Sequence, residues 1–332
     1  MTGFGRHPWV FIACAIVVFA QTFPVQAQQA WKPQKNVEVV VPAGPGGGQD
    51  QIGRSMQKRM QDVGPDSALI SVVNRVGGGG TVAWAYIAQK ASDPHYLSIF
   101  APPLLTNHIH GRSQMHHTQL TPISLFASEY IAFAVRAESP FATAKDLFEQ
   151  LKKDPASISI STGSAVGSIT HINLGRVLKA AGVDVKRLKI VTFDSSPAAT
   201  TALLGGHIDL VCTTPVNFLA HKGAGRLRLL GVSAPRRLGG DLADVPTWKD
   251  SGIDVVDANW RGLVAPKGLT PEQIDFWGKF MLDLSGSAEW RKGVLEKNLW
   301  ESSYLNPRDT SRFLDEQYIQ MRAMLVELGL VK

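Results

Sequence analysis

Residues 39–50 read Val-Val-Val-Pro-Ala-Gly-Pro-Gly-Gly-Gly-Gln-Asp. A β-branched strand runs into a glycine cluster, and a helical pattern starts directly behind it. Such a junction leaves backbone N–H groups unpaired at the positive end of a helix dipole, a device for holding an anion. Phosphate and carboxylate both suit it. The nucleotide motifs fail: a Walker loop needs Lys-Ser or Lys-Thr after the glycines, and none follows. A dinucleotide fingerprint fits Gly44 and Gly46 but meets Gln49 at its third glycine.

Other loops share this chemistry. They are 74–81 with four successive glycines, 101–106, 162–168 ahead of His171, 194–197 and 213–215. All are rich in glycine, proline or hydroxyl residues. Backbone N–H groups, hydroxyls and helix N-termini donate well to a carboxylate and hold it reversibly without a chemical step. Ser164 or Ser168 with His171 and Asp194 has the residue types of a hydrolytic triad, but G-x-S-x-G is absent. His108, His110, His116 and His117 lack acidic or cysteine partners at metal-ligand spacing, so no metal site is expected and they read as a solvated loop. No motif calls for a cofactor.

The elements that must position these loops follow from hydrophobic pattern. Candidate strands are 37–41, 69–73, 96–100, 131–135, 157–161, 189–193, 208–212, 227–232 and 261–265. Between them lie helical patterns. Ile52, Met56, Met60 and Val63 share one face, and so do Leu314, Tyr318, Met321, Leu325 and Leu328, with Gly329 as a C-cap. Alternating strands and helices predict an α/β chain with largely parallel sheets, whose ligands sit at the carboxyl ends of the strands. The loops then line one polar cleft between two lobes.

Arg6 and His7, the apolar run 10–20 and Val25-Gln26-Ala27 predict a cleaved secretory signal peptide over 1–27. Losing 27 of 332 residues leaves 305, enough for two domains. Cleavage also removes Cys14, so Cys212 has no disulfide partner and reads as a small core residue. Without Arg6, 33 Lys plus Arg stand against 28 Asp plus Glu, a net +5 with no basic run of the kind nucleic-acid binders carry.

Taken in order, these motifs resemble the extracytoplasmic solute receptors of the tripartite tricarboxylate transporter family, also called Bug-type receptors. The resemblance spans essentially the whole chain after the leader. It rests on Val-Pro-x-x-Pro-Gly-Gly-Gly-x-Asp at 41–50, Asn-x-x-Gly-x-Gly-Gly at 74–80, and Gly167-Ser168 with His171. Leu-Gly-Gly-His-Ile-Asp at 204–209 and Asp-Val-Pro-Thr at 244–247 extend it. Phe193-Asp194-Ser195, Asn259-Trp260-Arg261-Gly262, Glu289-Trp290 and Leu328-Gly329-Leu330 look most like the tricarboxylate (citrate-type) branch. Thr170 before His171, where that branch often has Asp, and Pro197-Ala198, where Gly-Glu is usual, depart from it.

The resemblance implies a two-lobed type II periplasmic binding protein clamp, a Venus flytrap with two interlobe crossovers near Val135 and near Trp260 and Arg261. The lobes expected are 28–134 plus 262–332, and 135–261. Ligand contacts carry over onto Ala43, Gly44, Gly46, Gly47 and Gly48 in the first lobe. In the second they fall on Ser164, Gly167, Ser168, His171, Asp194 and Ser195. Asp50 is expected to cap the following helix. Trp260 is read as a cleft closer or a buried hinge residue, and Arg261 as an anion partner or a structural ion pair. The implied role is that of a periplasmic receptor, monomeric and not an enzyme, which delivers citrate or another tri- or dicarboxylate to the transporter's membrane subunits. A receptor signalling to a kinase and a secreted serine hydrolase are the alternatives.

Overall fold

Valine-rich runs form the central strands, and the glycine loops hang from their carboxyl ends. The computed structural model describes residues 1–3, 5, 31–63, 69–163, 165–193 and 195–332. Apart from 1–3 and 5, the predicted leader lies outside the described residues. Eleven strands are described: β1 (Val37–Val41), β2 (Ile70–Asn74), β3 (Tyr96–Phe100), β4 (Leu120–Tyr130), β5 (Ala132–Arg136), β6 (Ser159–Ser161), β7 (Lys189–Ile190), β8 (Leu210–Thr213), β9 (Leu227–Val232), β10 (Ala258–Pro266) and β11 (Glu301–Leu305).

They form two sheets. The first has the order β11-β4-β10-β3-β1-β2 and the second β7-β6-β8-β5-β9, each with helices packed on it. This is a two-lobed α/β fold. The sheets are mixed rather than largely parallel. β1 runs parallel to β2 and β3, and β6 to β7 and β8, but β10 is antiparallel to β3 and β4, and β5 to β8 and β9. The reason is the path between lobes. β4 leads straight across Ile131 into β5, and β10 brings the chain back alongside β4. Neighbouring strands that go out and return are antiparallel, with no helical crossover between them. These passages, at Ile131 and just ahead of Ala258, lie a few residues before the expected junctions at 134/135 and 261/262. Those junctions fall inside β5 and β10, each of which stays hydrogen-bonded within one sheet.

The helix Gly48–Val63 buries Ile52, Met56 and Met60 against the first sheet, while Val63 at its last turn is exposed. The C-terminal helix Pro307–Glu327 buries Leu314, Met321 and Leu325. Gly329, at φ 70°, ends it as expected: its N–H donates to Val326 O, and that of Leu330 to Leu325 O. Cys212 is fully buried in β8, where burial pushes its thiol pKa up, a core role.

Trp248 anchors the core of the second lobe. Its ring meets Phe133 at 4.6 Å and Phe148 at 5.9 Å, and its Nε1 donates to Ser233 Oγ at 2.9 Å. Trp248→Ala opens a cavity and strips Ser233 of that donor. It is expected to destabilise the fold by about 3–5 kcal/mol, read by urea denaturation; a loss below about 1 kcal/mol would show that the site collapses without cost.

Candidate functional site

The first candidate loop runs from the end of β1 to the start of the helix Gly48–Val63. Asp50 organises it, though not as the expected cap. It stands third in the helix and reaches back. Its Oδ2 accepts from Gly46 N–H at 2.9 Å and from Arg54 Nε at 2.8 Å, and its Oδ1 from Asn74 Nδ2 at 3.0 Å. The same Asn74 amide donates to Ala43 O at 2.9 Å, which ties the loop to β2. Burial would raise the Asp50 pKa, but these hydrogen bonds and the Arg54 charge outweigh it and hold the carboxyl below its ordinary value. Gly46 N–H is thereby taken. The N–H groups of Gly44, Gly47 and Gly48 donate to nothing among the described residues.

Beneath this loop lies a buried stack. A Cβ at Gly48 would come within 2.6 Å of the Trp300 ring, so only glycine lets the helix start rest on that indole. The Arg261 guanidinium sits 5.0 Å from the same ring. Its Nη1 donates to Asn259 O, Asn259 Oδ1 and Trp260 O, and its Nη2 is 3.6 Å from Glu129 Oε2. Burial pushes the Glu129 pKa up against the pull of Arg261, Thr214, Asn259 and Trp300. Arg261 is thus an ion-pair partner under the loop. Trp260 is buried between Phe100 and Phe313.

The second loop follows β6 and precedes the helix Ile169–Ala180. Ser168 caps that helix: its Oγ accepts from His171 N–H at 3.4 Å and lies 2.9 Å from Thr170 Oγ1. The His171 ring is buried, which lowers its pKa to about 4, with the nearby His110 acting in the same direction. It is therefore neutral near pH 7. Its Nδ1 accepts from Gly167 N–H at 3.1 Å, which fixes the remaining proton on Nε2. The ring thus takes a backbone N–H where a serine triad would offer a hydroxyl. Ser195 caps the helix Ser196–Leu204 by accepting from Ala198 N–H at 3.3 Å. Ser196 Oγ donates to Gly163 O at 3.0 Å and lies 2.7 Å from Thr213 Oγ1, joining the loops after β6 and β8. Ser164 and Asp194 lie outside the described residues.

His110 connects the two sides. From the end of the helix Pro103–Ile109 its Nε2 reaches Gly167 O at 3.2 Å. Gly167 has φ 81°, and any Cβ there would collide with the His110 ring. The histidines expected as a solvated loop are therefore structural. His117 is 4% exposed and bonds Asp315 at 2.8 Å, His108 bonds Tyr318 at 2.8 Å, and the His116 ring meets that of His108 edge to face at 4.7 Å and lies tilted on that of His117 at 4.3 Å. Glu129, Trp300 and His110 were not expected at the site. Glu129 stands out only as an acid inside an apolar run, and His110 and Trp300 lie in polar stretches; none of these signals reveals what the side chain faces.

Residues 52–330 match the family model described as "Tripartite tricarboxylate transporter family receptor". The chain is 25% identical to protein BugT of Bordetella pertussis over 279 residues, covering 80% of this chain and 79% of that one. A solved TctC solute binding protein from Polaromonas, without ligand, superposes with a TM-score of 0.79 at 24% identity, covering 89% of this chain and 99% of that one. A protein of R. palustris solved with adipate gives 0.68 at 22% identity, with 90% and 99% covered.

The His171 shift has a stability consequence. Between an unfolded value of about 6.5 and the folded value of about 4, the unfolded chain binds a proton that the folded chain refuses. Stability is lost as pH falls through this window, by up to about 3 kcal/mol, with no further loss from this group below pH 4. His171→Asn keeps an acceptor for Gly167 N–H and removes the titration. Its stability is expected to fall less than the wild type's between pH 6.5 and 4. Parallel stability–pH curves from urea denaturation would count against a buried neutral ring.

Proposed function

This chain belongs to the tripartite tricarboxylate transporter receptor family, and from that premise we propose that it captures a small di- or tricarboxylate between its two loops. We place it in the periplasm as a monomer, exported by the leader over 1–27, where it hands the ligand to the membrane subunits of such a transporter. One observation carries the reading: the backbone N–H groups of Gly44, Gly47 and Gly48, in the loop that opens a 16-residue helix, donate to nothing among the described residues. One carboxylate of the ligand docks there. A second meets the other loop, where His171 Nε2–H, Gly167 and the hydroxyls of Ser168 and Ser164 are our proposed partners. Asp194 takes a ligand hydroxyl where one exists, as in citrate. The adipate in the R. palustris relative supports the ligand class.

A thermal-shift panel of citrate, malate and adipate tests it. At least one is expected to raise the melting temperature, while adipamide, which keeps the shape of adipate but not its charge, does not. Gly47→Asp introduces a like charge at a position with room for a side chain, the nearest atom to its Cβ being Gly44 O at 3.7 Å. It should weaken the binding at least tenfold while leaving the unliganded melting temperature within a few degrees. A panel in which no carboxylate shifts the transition, or a Gly47→Asp variant that binds as the wild type does, would sink this reading.

A further inference from the structure

The helix Ile169–Ala180 carries the second loop at its N-terminus, and it packs into both lobes. On one side Leu174, Val177 and Leu178 join the core of the second sheet, with Phe133, Ile160 and Trp248. On the other, Ile172 is 1% exposed and packs among first-lobe residues, including Met321, Met324 and Leu325 of the C-terminal helix. Ile169 and Leu328 pack against both cores. Residues 169, 172, 175 and 179 recur at helical spacing, so one stripe of this helix is turned to the first lobe.

Glycine inside a helix costs about 1 kcal/mol against alanine, and Gly175 stands in the middle of this one. What it supplies is close approach. A Cβ there would lie 2.9 Å from Met324 Sδ and 3.3 and 3.4 Å from the two Leu328 methyls. The stripe is also tied at both ends. His110, from the first lobe, meets Gly167 O just ahead of the helix; a carbonyl only accepts, so His110 Nε2 carries a hydrogen. Lys179 pairs with Glu327 at the end of the C-terminal helix. Alongside, Arg176 and Asn173 both bind Asp257, in the second passage between lobes. The second loop is thus fastened to the first lobe through its own helix, by contacts in which no residue of the glycine loop 43–48 takes part.

We propose that this seam, Gly175 against Met324 and Leu328, sets the spacing of the two loops before any ligand arrives. The three are positioning residues: they act on binding through the helix that carries Ser168 and His171. The consequence for affinity rests on the carboxylate reading above; the spacing itself does not. A spacing fixed in advance spares the ligand the cost of bringing the lobes together.

Nitroxides on Lys145→Cys in the second lobe and Lys279→Cys in the first read the lobe separation by double electron–electron resonance in the ligand-free chain. Both lysine side chains are exposed, Cys14→Ser removes the other thiol of the sequence, and Cys212 is fully buried. Gly175→Leu wedges the seam and is expected to lengthen the mean distance by about 2 Å or more, since small shifts at a packed interface are amplified across a lobe. Adding Met324→Ala returns most of the inserted volume and should bring the distance back. Adipate affinity is expected to fall about tenfold in the wedged variant and to recover in the double variant. An unchanged distance in Gly175→Leu, or one that Met324→Ala leaves displaced, overturns the seam. An unchanged adipate affinity at a lengthened distance overturns its role in binding. Gly175→Ala, whose Cβ alone crowds Met324, carries the same test if Gly175→Leu does not fold. A wild type that ignores adipate counts against the cleft reading, while the ligand-free distance still decides the seam.

Discussion

Two buried charges, Glu129 and Arg261, sit where the chain passes between its lobes, and much of the site is stacked on them. Taking both from water is costly, and their 3.6 Å attraction repays it only with further hydrogen bonds. Arg261 has three oxygens on Nη1 alone. Glu129 accepts from Asn259 at 3.2 Å, and Thr214, from the loop after β8, also helps hold its charge. Such a pair adds little net stability, but removing one partner strands the other in a dry interior. It therefore fixes geometry: Arg261 supports Trp300, Trp300 supports Gly48, and Gly48 starts the helix Gly48–Val63.

The antiparallel ladder of β4 and β10 makes this possible. It is paired from Leu120 with Pro266 to Tyr130 with Ala258, interrupted by two register shifts. Because side chains alternate along a strand, one ladder carries a polar cluster on one face and, on the other, lines a cavity of about 270 Å³ together with Leu305 and Phe313. Ser128, Glu129 and Tyr130 are chain neighbours, yet the middle one belongs to the floor of the site and the outer two to the cavity.

What was legible in the sequence was local. The apolar β1, the glycines behind it and the one-sided Ile52, Met56 and Met60 are signals carried by neighbouring residues, and they reappear in place. β4 was invisible for the same reason: Thr121, Pro122, Ser124, Ser128 and Glu129 break its apolar pattern, because its partners lie far along the chain. The mixed sheet direction depends on which strands return beside which, and no window of residues holds that. Asp50 shows the limit most clearly. Its type and position fit a helix cap, but Asn74 and Arg54 are what turn the carboxylate back on the loop. His110 and Trp300 sit opposite glycines more than fifty residues away, and only the folded chain brings them there.

The chemistry of the first loop follows from what the fold takes away from it. Asp50 consumes one of the loop's N–H groups and places a negative charge at the helix start. Arg54, at 2.8 Å, offsets that charge. Arg261 is close, but Trp300 lies between it and the loop, and Glu129 balances it. The loop therefore offers an anion no unpaired cation of its own, only oriented dipoles with a helix behind them. Fixed dipoles would hold a carboxylate well, because nothing need reorganise to receive it. They do not distinguish what the carboxylate is attached to. In the proposed reading that discrimination falls to side chains on the other loop, where His171, neutral near pH 7 with its proton on Nε2, has its hydrogen position already set by the fold.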